Sequence, residues 1–265
     1  MGDGCLTADF AYLKREEARG GALSERVEIF EVGPRDGLQN EARLIPLAEK
    51  VPLVDCLSGA GYRRIECASF VSPKWVPQMA GSAEVLAGIT RAAGVSYAAL
   101  TPNMRGFEAA MAAQADEVAI FGSASEGFSK ANINATIAES LERFRPVAAA
   151  AQAQGVPVRG YVSCVVECPY DGAVDPGSVA RVVAELRDMG CYEISLGDTV
   201  GRATPEGISA MLKAVLDELP PDRLAGHYHD TGGLACDNIE ASLSFGLRVF
   251  DAAVVGLGGG SYAPR

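Results

Sequence analysis

The chain has 265 residues, 48% of them hydrophobic and 30 of them glycine, with a formal net charge of −11. That acidic balance disfavours a nucleic-acid surface and points to a soluble protein, while the apolar content can fill the core of one large α/β domain. An anionic substrate would need a local positive spot on such a surface.

Residues 1–25 form an N-terminal extension that mixes both charge signs with glycine and lacks an apolar stretch of signal-peptide length. Asp3, Asp9, Glu16, Glu17 and Glu25 speak against a mitochondrial presequence, and residues 11–19 are a candidate short helix. No window approaches a membrane span, so a cytoplasmic location is expected. The seven cysteines are odd in number, scattered and mostly set in apolar runs, as reduced thiols are. Cys164 and Cys168 lack a second cysteine pair and read as structural.

From residue 26 onward the chain alternates. Strand-like runs fall at 27–32, 64–70, 95–100, 117–121, 156–165, 191–196, 224–228 and 249–255. Between most of them lie helical patterns, such as Leu47, Val51, Val54 and Leu57, or Val179, Val182, Val183 and Leu186. Short, apolar, β-branched strands separated by helices suit a parallel sheet covered on its faces. Eight such units over about 250 residues predict a (β/α)8 TIM barrel spanning 26–265. An open doubly wound sheet usually begins with a Gly-rich phosphate turn, which Gly33-Pro34-Arg35-Asp36-Gly37 does not match.

In a barrel of this kind the active site forms at the C-terminal ends of the strands, and polar residues recur there. Arg35 and Asp36 follow the first strand, where Gly33-Pro34 makes a tight turn. Glu66 and Ser69 lie in the second, and Thr101 and Asn103 follow the third. Ser163 lies in the fifth, Ser195, Asp198 and Thr199 close the sixth, and His227 and His229 close the seventh. The Arg-Asp pair offers a fixed positive charge for an oxyanion and a hard oxygen ligand or base; the alternative is a surface ion pair on a turn. The two histidines, the only ones in the chain, are two residues apart, so in a strand both imidazoles project from one face and can share a cation. The alternative is a hydrogen-bonded pair of strand histidines. Glu66 either orients a ligand and passes a proton, or simply pairs with Arg35. One carboxylate and two imidazoles make a divalent-cation site with open positions, suited to polarising a hydroxyl or carbonyl, and Arg35 beside it can stabilise an enolate. The reaction class this favours is making or breaking a C–C bond next to a carbonyl.

Several long blocks then carry a specific likeness. The stretch from Glu31 to Glu41, the stretch from Ser69 to Met79, Leu100-Thr101-Pro102-Asn103, Arg159 to Cys164, Gly190 to Thr199 and His227-Tyr228-His229-Asp230-Thr231 together resemble the 3-hydroxy-3-methylglutaryl-CoA lyase family. The resemblance implies a (β/α)8 metallolyase that cleaves 3-hydroxy-3-methylglutaryl-CoA to acetyl-CoA and acetoacetate with Mg²⁺ or Mn²⁺. It implies Asp36, His227 and His229 as metal ligands, and Arg35 as the substrate contact that steadies the enolate. Glu66 and His227 join Arg35 as catalytic residues, with Ser69, Asn132 and Asp198 as further substrate contacts. An acyl-CoA substrate and a homodimer are implied as partners. Two departures stand out. The family loop after the eighth strand reads Gly-Leu-Gly-Gly-Cys-Pro-Tyr-Ala, whereas here Gly260 holds the cysteine position and Ser261 follows it. The chain also ends at Arg265, so the family's asparagine metal ligand and last helix are expected to be missing from this barrel. Two other readings stay open: a related lyase or Claisen-type condensing enzyme on another hydroxyacyl-CoA or oxo acid, and a non-catalytic paralogue that binds a metal or acyl-CoA.

Overall fold

Apolar runs and amphipathic segments alternate in the folded chain as they do in the sequence; the computed structural model describes residues 26–258. The expected extension, its short helix and the altered loop at Gly260 lie outside the described residues. In order, the elements are β1 (Glu28–Glu31), α1 (Leu47–Gly59), β2 (Arg64–Ser69), α2 (Ser82–Gly88), β3 (Ser96–Leu100), α3 (Met104–Ala112) and β4 (Glu117–Ser123). There follow α4 (Glu126–Ile133), α5 (Ile137–Ala153), β5 (Val158–Ser163), α6 (Pro176–Asp188), β6 (Glu193–Asp198), α7 (Pro205–Val215), β7 (Leu224–Tyr228), α8 (Ala235–Ser244) and β8 (Val249–Ala252). The eight strands are parallel and close into a barrel in the order β1-β8-β7-β6-β5-β4-β3-β2.

Helix starts are written into the loops that leave the strands' C-terminal ends. Asn103, Ser125, Asp175 and Thr204 each accept a backbone N–H from the first turn of the following helix, and Thr136 forms a reciprocal capping box with Glu139. Pro176 and Pro205 sit just inside α6 and α7, where a missing N–H costs nothing. The spacing read in α6 holds, with Val179, Val182, Val183 and Leu186 all buried. In α1 the spacing holds only for Val54 and Leu57, since Leu47 in the first turn is exposed.

Two strands stop well short of the C-terminal end that the sequence suggests. The run 156–165 stops at Ser163 because Cys164 turns to a positive φ of 59°, and a two-strand ribbon, Glu167–Cys168 against Gly172–Ala173, follows. The run 249–255 stops at Ala252, since the Val254 amide is taken at 3.0 Å by the Glu31 carboxylate and a 3-10 turn follows.

The barrel separates two interiors. Outside it, strand residues such as Ile65, Ile120, Val162 and Leu196 pack with Val54, Phe107, Phe144 and Leu212 from the helices in one apolar layer. Inside it, Phe30 lies against the guanidinium groups of both Arg64 and Arg159, 4.8 and 4.2 Å from its ring centre. Charges alternate along this interior. Glu28 accepts from Arg64 at 2.7 Å, Arg64 also donates to Glu193 at 3.0 Å, Glu193 accepts from Arg159 at 2.7 Å, and Arg159 donates to Asp251 at 2.7 Å. Burying charge is tolerated only where every group is paired and hydrogen-bonded, which this chain of ions achieves.

Candidate active site

The last link of that chain reaches the mouth of the barrel. There β1 runs not into a tight turn but into a wide π-type turn, Gly33–Gly37. The Gly33 amide donates to the Glu31 carboxylate at 2.7 Å, so closely that a Cβ on Gly33 would collide with it. The turn buries Arg35, whose Nε and one amino group both donate to Glu66 Oε2 at 2.5 Å while the other amino group donates to Asp36 Oδ1 at 2.6 Å. Its guanidinium lies 5.6 Å from the centre of the Tyr161 ring. Burial works against the charge on Asp36, but Arg35, and after it His227, outweigh that and hold the carboxyl well below its usual range.

The histidines close β7 as the sequence suggested. His227 Nε2 and His229 Nε2 are 3.2 Å apart, and they lie 3.5 and 3.9 Å from Asp36 Oδ2. Each ring is fixed from behind. His229 Nδ1 meets the Thr199 carbonyl at 3.1 Å, and His227 Nδ1 meets Asp251 Oδ2 at 2.9 Å. A carbonyl oxygen only accepts, so His229 carries its proton on Nδ1 and turns an Nε2 lone pair toward Asp36. Two lone pairs facing at this distance repel unless a proton or a cation lies between them. Without a cation, burial pushes the His227 imidazole down but Asp251 and Asp36 more than offset that, and its pKa rises to about 10. The three atoms are close enough together to hold one divalent cation between them. Among the described residues this is the one group of three His, Cys, Asp or Glu side chains whose ligand atoms gather within 4.8 Å.

The site opens into a cavity of about 730 Å³. Arg35, Asp36, His227 and His229 line it, with Leu100, Phe121 and Tyr161 on an apolar wall and Asn132, from α4, also in the lining. Ser69 and Asp198, expected as substrate contacts, and Glu66, expected as a catalytic residue, are not in that lining. Glu66 is fully buried and spends one oxygen on Arg35, while Ser69 is buried beside Ser82. Asp198 accepts the Gly201 and Ala203 amides at 3.0 and 2.9 Å, and so holds the loop that carries Thr199. Strand position alone could not separate such supporting groups from lining ones. Asp251, Arg159 and Tyr161, by contrast, were given no place in the site by the sequence, although Arg159 and Tyr161 fall in a block that carries the family likeness. The available signal was a charge in mid-strand, Arg159 in β5 and Asp251 in the apolar run that makes β8.

Donor set and fold together define a class, the barrel enzymes that work with a divalent cation. Within that class the sequence is specific: residues 26–261 match the HMGL-like family, and the chain belongs to it. It is 59% identical over 241 residues to the 3-hydroxy-3-isohexenylglutaryl-CoA/hydroxy-methylglutaryl-CoA lyase of Pseudomonas aeruginosa, covering 91% of this chain and 80% of that protein. Among solved structures, the HMG-CoA lyase of Brucella melitensis matches with a TM-score of 0.90 at 64% identity, covering 91% of this chain and 85% of that one. An HMG-CoA lyase from Acinetobacter baumannii in complex with coenzyme A and 3-methylmalate matches with a TM-score of 0.87 at 37% identity, over 92% and 79% of the two chains.

Proposed function

We propose that the protein is a divalent-metal-dependent lyase that cleaves 3-hydroxy-3-methylglutaryl-CoA to acetyl-CoA and acetoacetate. The observation that carries this reading is the meeting of Asp36, His227 and His229 around one point beside the Arg35 guanidinium. Mg²⁺ or Mn²⁺ held by those three side chains would supply Lewis acidity toward adjacent substrate oxygens. A base takes the C3 hydroxyl proton, and C3 becomes the carbonyl of acetoacetate as the C2–C3 bond breaks. The electron pair passes into the thioester as an enolate beside the charge that Arg35 holds fixed in advance, and protonation at C2 completes acetyl-CoA. Glu66 keeps that guanidinium in place from beneath. The apolar wall of Leu100, Phe121 and Tyr161 excludes water, which strengthens each of these electrostatic contacts. Asn132 is the cavity residue we assign to the acyl-CoA arm, and Ser69 and Asp198 support the strand ends.

The Pseudomonas relative is also named for a substrate with a longer C3 substituent. A 730 Å³ cavity with an aromatic wall favours the same breadth here, and 3-hydroxy-3-isohexenylglutaryl-CoA belongs in the assay. No helix among the described residues is long and apolar enough to cross a membrane. We propose a cytoplasmic homodimer, to be checked by light scattering on the purified protein.

The test is product analysis. Purified protein with Mn²⁺ is expected to release acetoacetate and acetyl-CoA in equal amounts, to stop on chelation and to resume on readdition of metal. Bound Mn²⁺ without any acetoacetate would replace the lyase reading with that of a non-catalytic metal-binding relative.

A further inference from the structure

We propose that Asp251, oriented by Arg159, is a positioning residue that fixes the metal-binding tautomer of His227. The inference rests on the metal-ligand reading of that histidine. Asp251 is 1% exposed at its side chain and does not line the cavity, so its route to the site runs through its neighbours.

Four hydrogen bonds converge on its carboxylate. Oδ1 accepts from one Arg159 amino group at 2.7 Å, and Oδ2 accepts from the other at 3.2 Å, from Ser195 Oγ at 2.7 Å and from His227 Nδ1 at 2.9 Å. Arg159 is fully buried, and its Nε and one amino group are engaged by Glu193 and the Tyr161 hydroxyl, so the guanidinium plane is locked and with it the carboxylate. An ionised carboxylate offers no proton, so the neutral His227 ring must keep its proton on Nδ1, which leaves Nε2 as the nitrogen able to ligate. Thr199 does the same for His229 with a backbone carbonyl. One ligand is therefore oriented by the main chain of the β6 loop and the other by an ionic side-chain chain that begins on the barrel floor.

This arrangement makes Asp251→Asn informative. The amide has one oxygen, and the guanidinium of Arg159 claims it, which turns the amide nitrogen toward His227 Nδ1 and Ser195. Nδ1 must then accept, the proton moves to Nε2, and that nitrogen can no longer ligate.

Two measurements test the proposal. Mn²⁺ binding followed by electron paramagnetic resonance is expected to be about 10- to 100-fold weaker in Asp251→Asn than in the unaltered protein, with a circular dichroism spectrum that does not change. Nitrogen-15 NMR of labelled histidine in the Mg²⁺-loaded protein is expected to show His227 protonated at Nδ1 and bare at Nε2, and to lose that pattern in the variant. Binding by Asp251→Asn within about twofold of the unaltered protein would overturn the proposal. If the variant does not fold, the spectrum of the unaltered protein decides alone, since a proton on His227 Nε2 there would also overturn it. Failure of the unaltered protein to bind Mn²⁺ would instead remove the metal reading on which the proposal stands.

Discussion

Arg35 reaches Asp36 and Glu66 at once, so its charge can be separated from the metal site by substitution. Arg35→Gln is expected to lower kcat by about 10²- to 10³-fold, the usual cost of a lost oxyanion donor, with Mn²⁺ affinity held within a few-fold. Loss of metal binding with kcat per bound metal unchanged would contradict the role. His227 supplies a pH signature. Its folded pKa is raised to about 10, so its proton stabilises the metal-free protein fully below its ordinary pKa near 6.5, and that contribution is lost as pH rises through about 10. Metal must displace that proton, and Mn²⁺ affinity is expected to rise about tenfold per pH unit between pH 7 and 9. A flat profile by calorimetry would show that the imidazole is neutral before metal arrives. At Gly260, where the resembled loop carries a cysteine, Gly260→Cys is expected to raise turnover at unchanged Mn²⁺ affinity, toward the roughly 10²- to 10⁴-fold that acid–base help provides.

The loops after β6 and β7 meet at Gly201, whose φ is +71° and whose added Cβ would fall 2.9 Å from His229 Cβ and 2.7 Å from Thr231 Oγ1. Gly201→Ala is expected to cost about 1–3 kcal/mol of stability and to weaken Mn²⁺ binding, because backbone strain there displaces a ligand. Urea unfolding and a metal titration on the same variant check both halves. Elements of this kind mark where the sequence stopped being legible. The barrel could be read because eight short β-branched runs alternate with helical spacing, and the two histidines could be read because a strand projects alternate residues from one face. The wide turn at Gly33–Gly37 could not, since Gly-Pro signals a break without giving its width. The pairing of Arg159 with Asp251 joins β5 to β8, and no local pattern reports which mid-strand charges face the same interior.

Across the whole molecule, the apolar layer between strands and helices holds the barrel together, while its interior is a column of alternating charge that ends at His227. Arg159→Met would leave Glu193 and Asp251 buried beside each other's side of the column without their shared partner. A loss of about 3–5 kcal/mol is expected, read as a lowered urea midpoint; a stability equal to that of the unaltered protein would mean that the column contributes nothing net. The lyase chemistry requires one cation at the mouth of this column. Anomalous scattering from crystals grown with Mn²⁺ is the direct measurement. It is expected to give a peak about 2.2 Å from Asp36 Oδ2, His227 Nε2 and His229 Nε2, and a Mn²⁺ peak bound elsewhere, with these three side chains left uncoordinated, would contradict it.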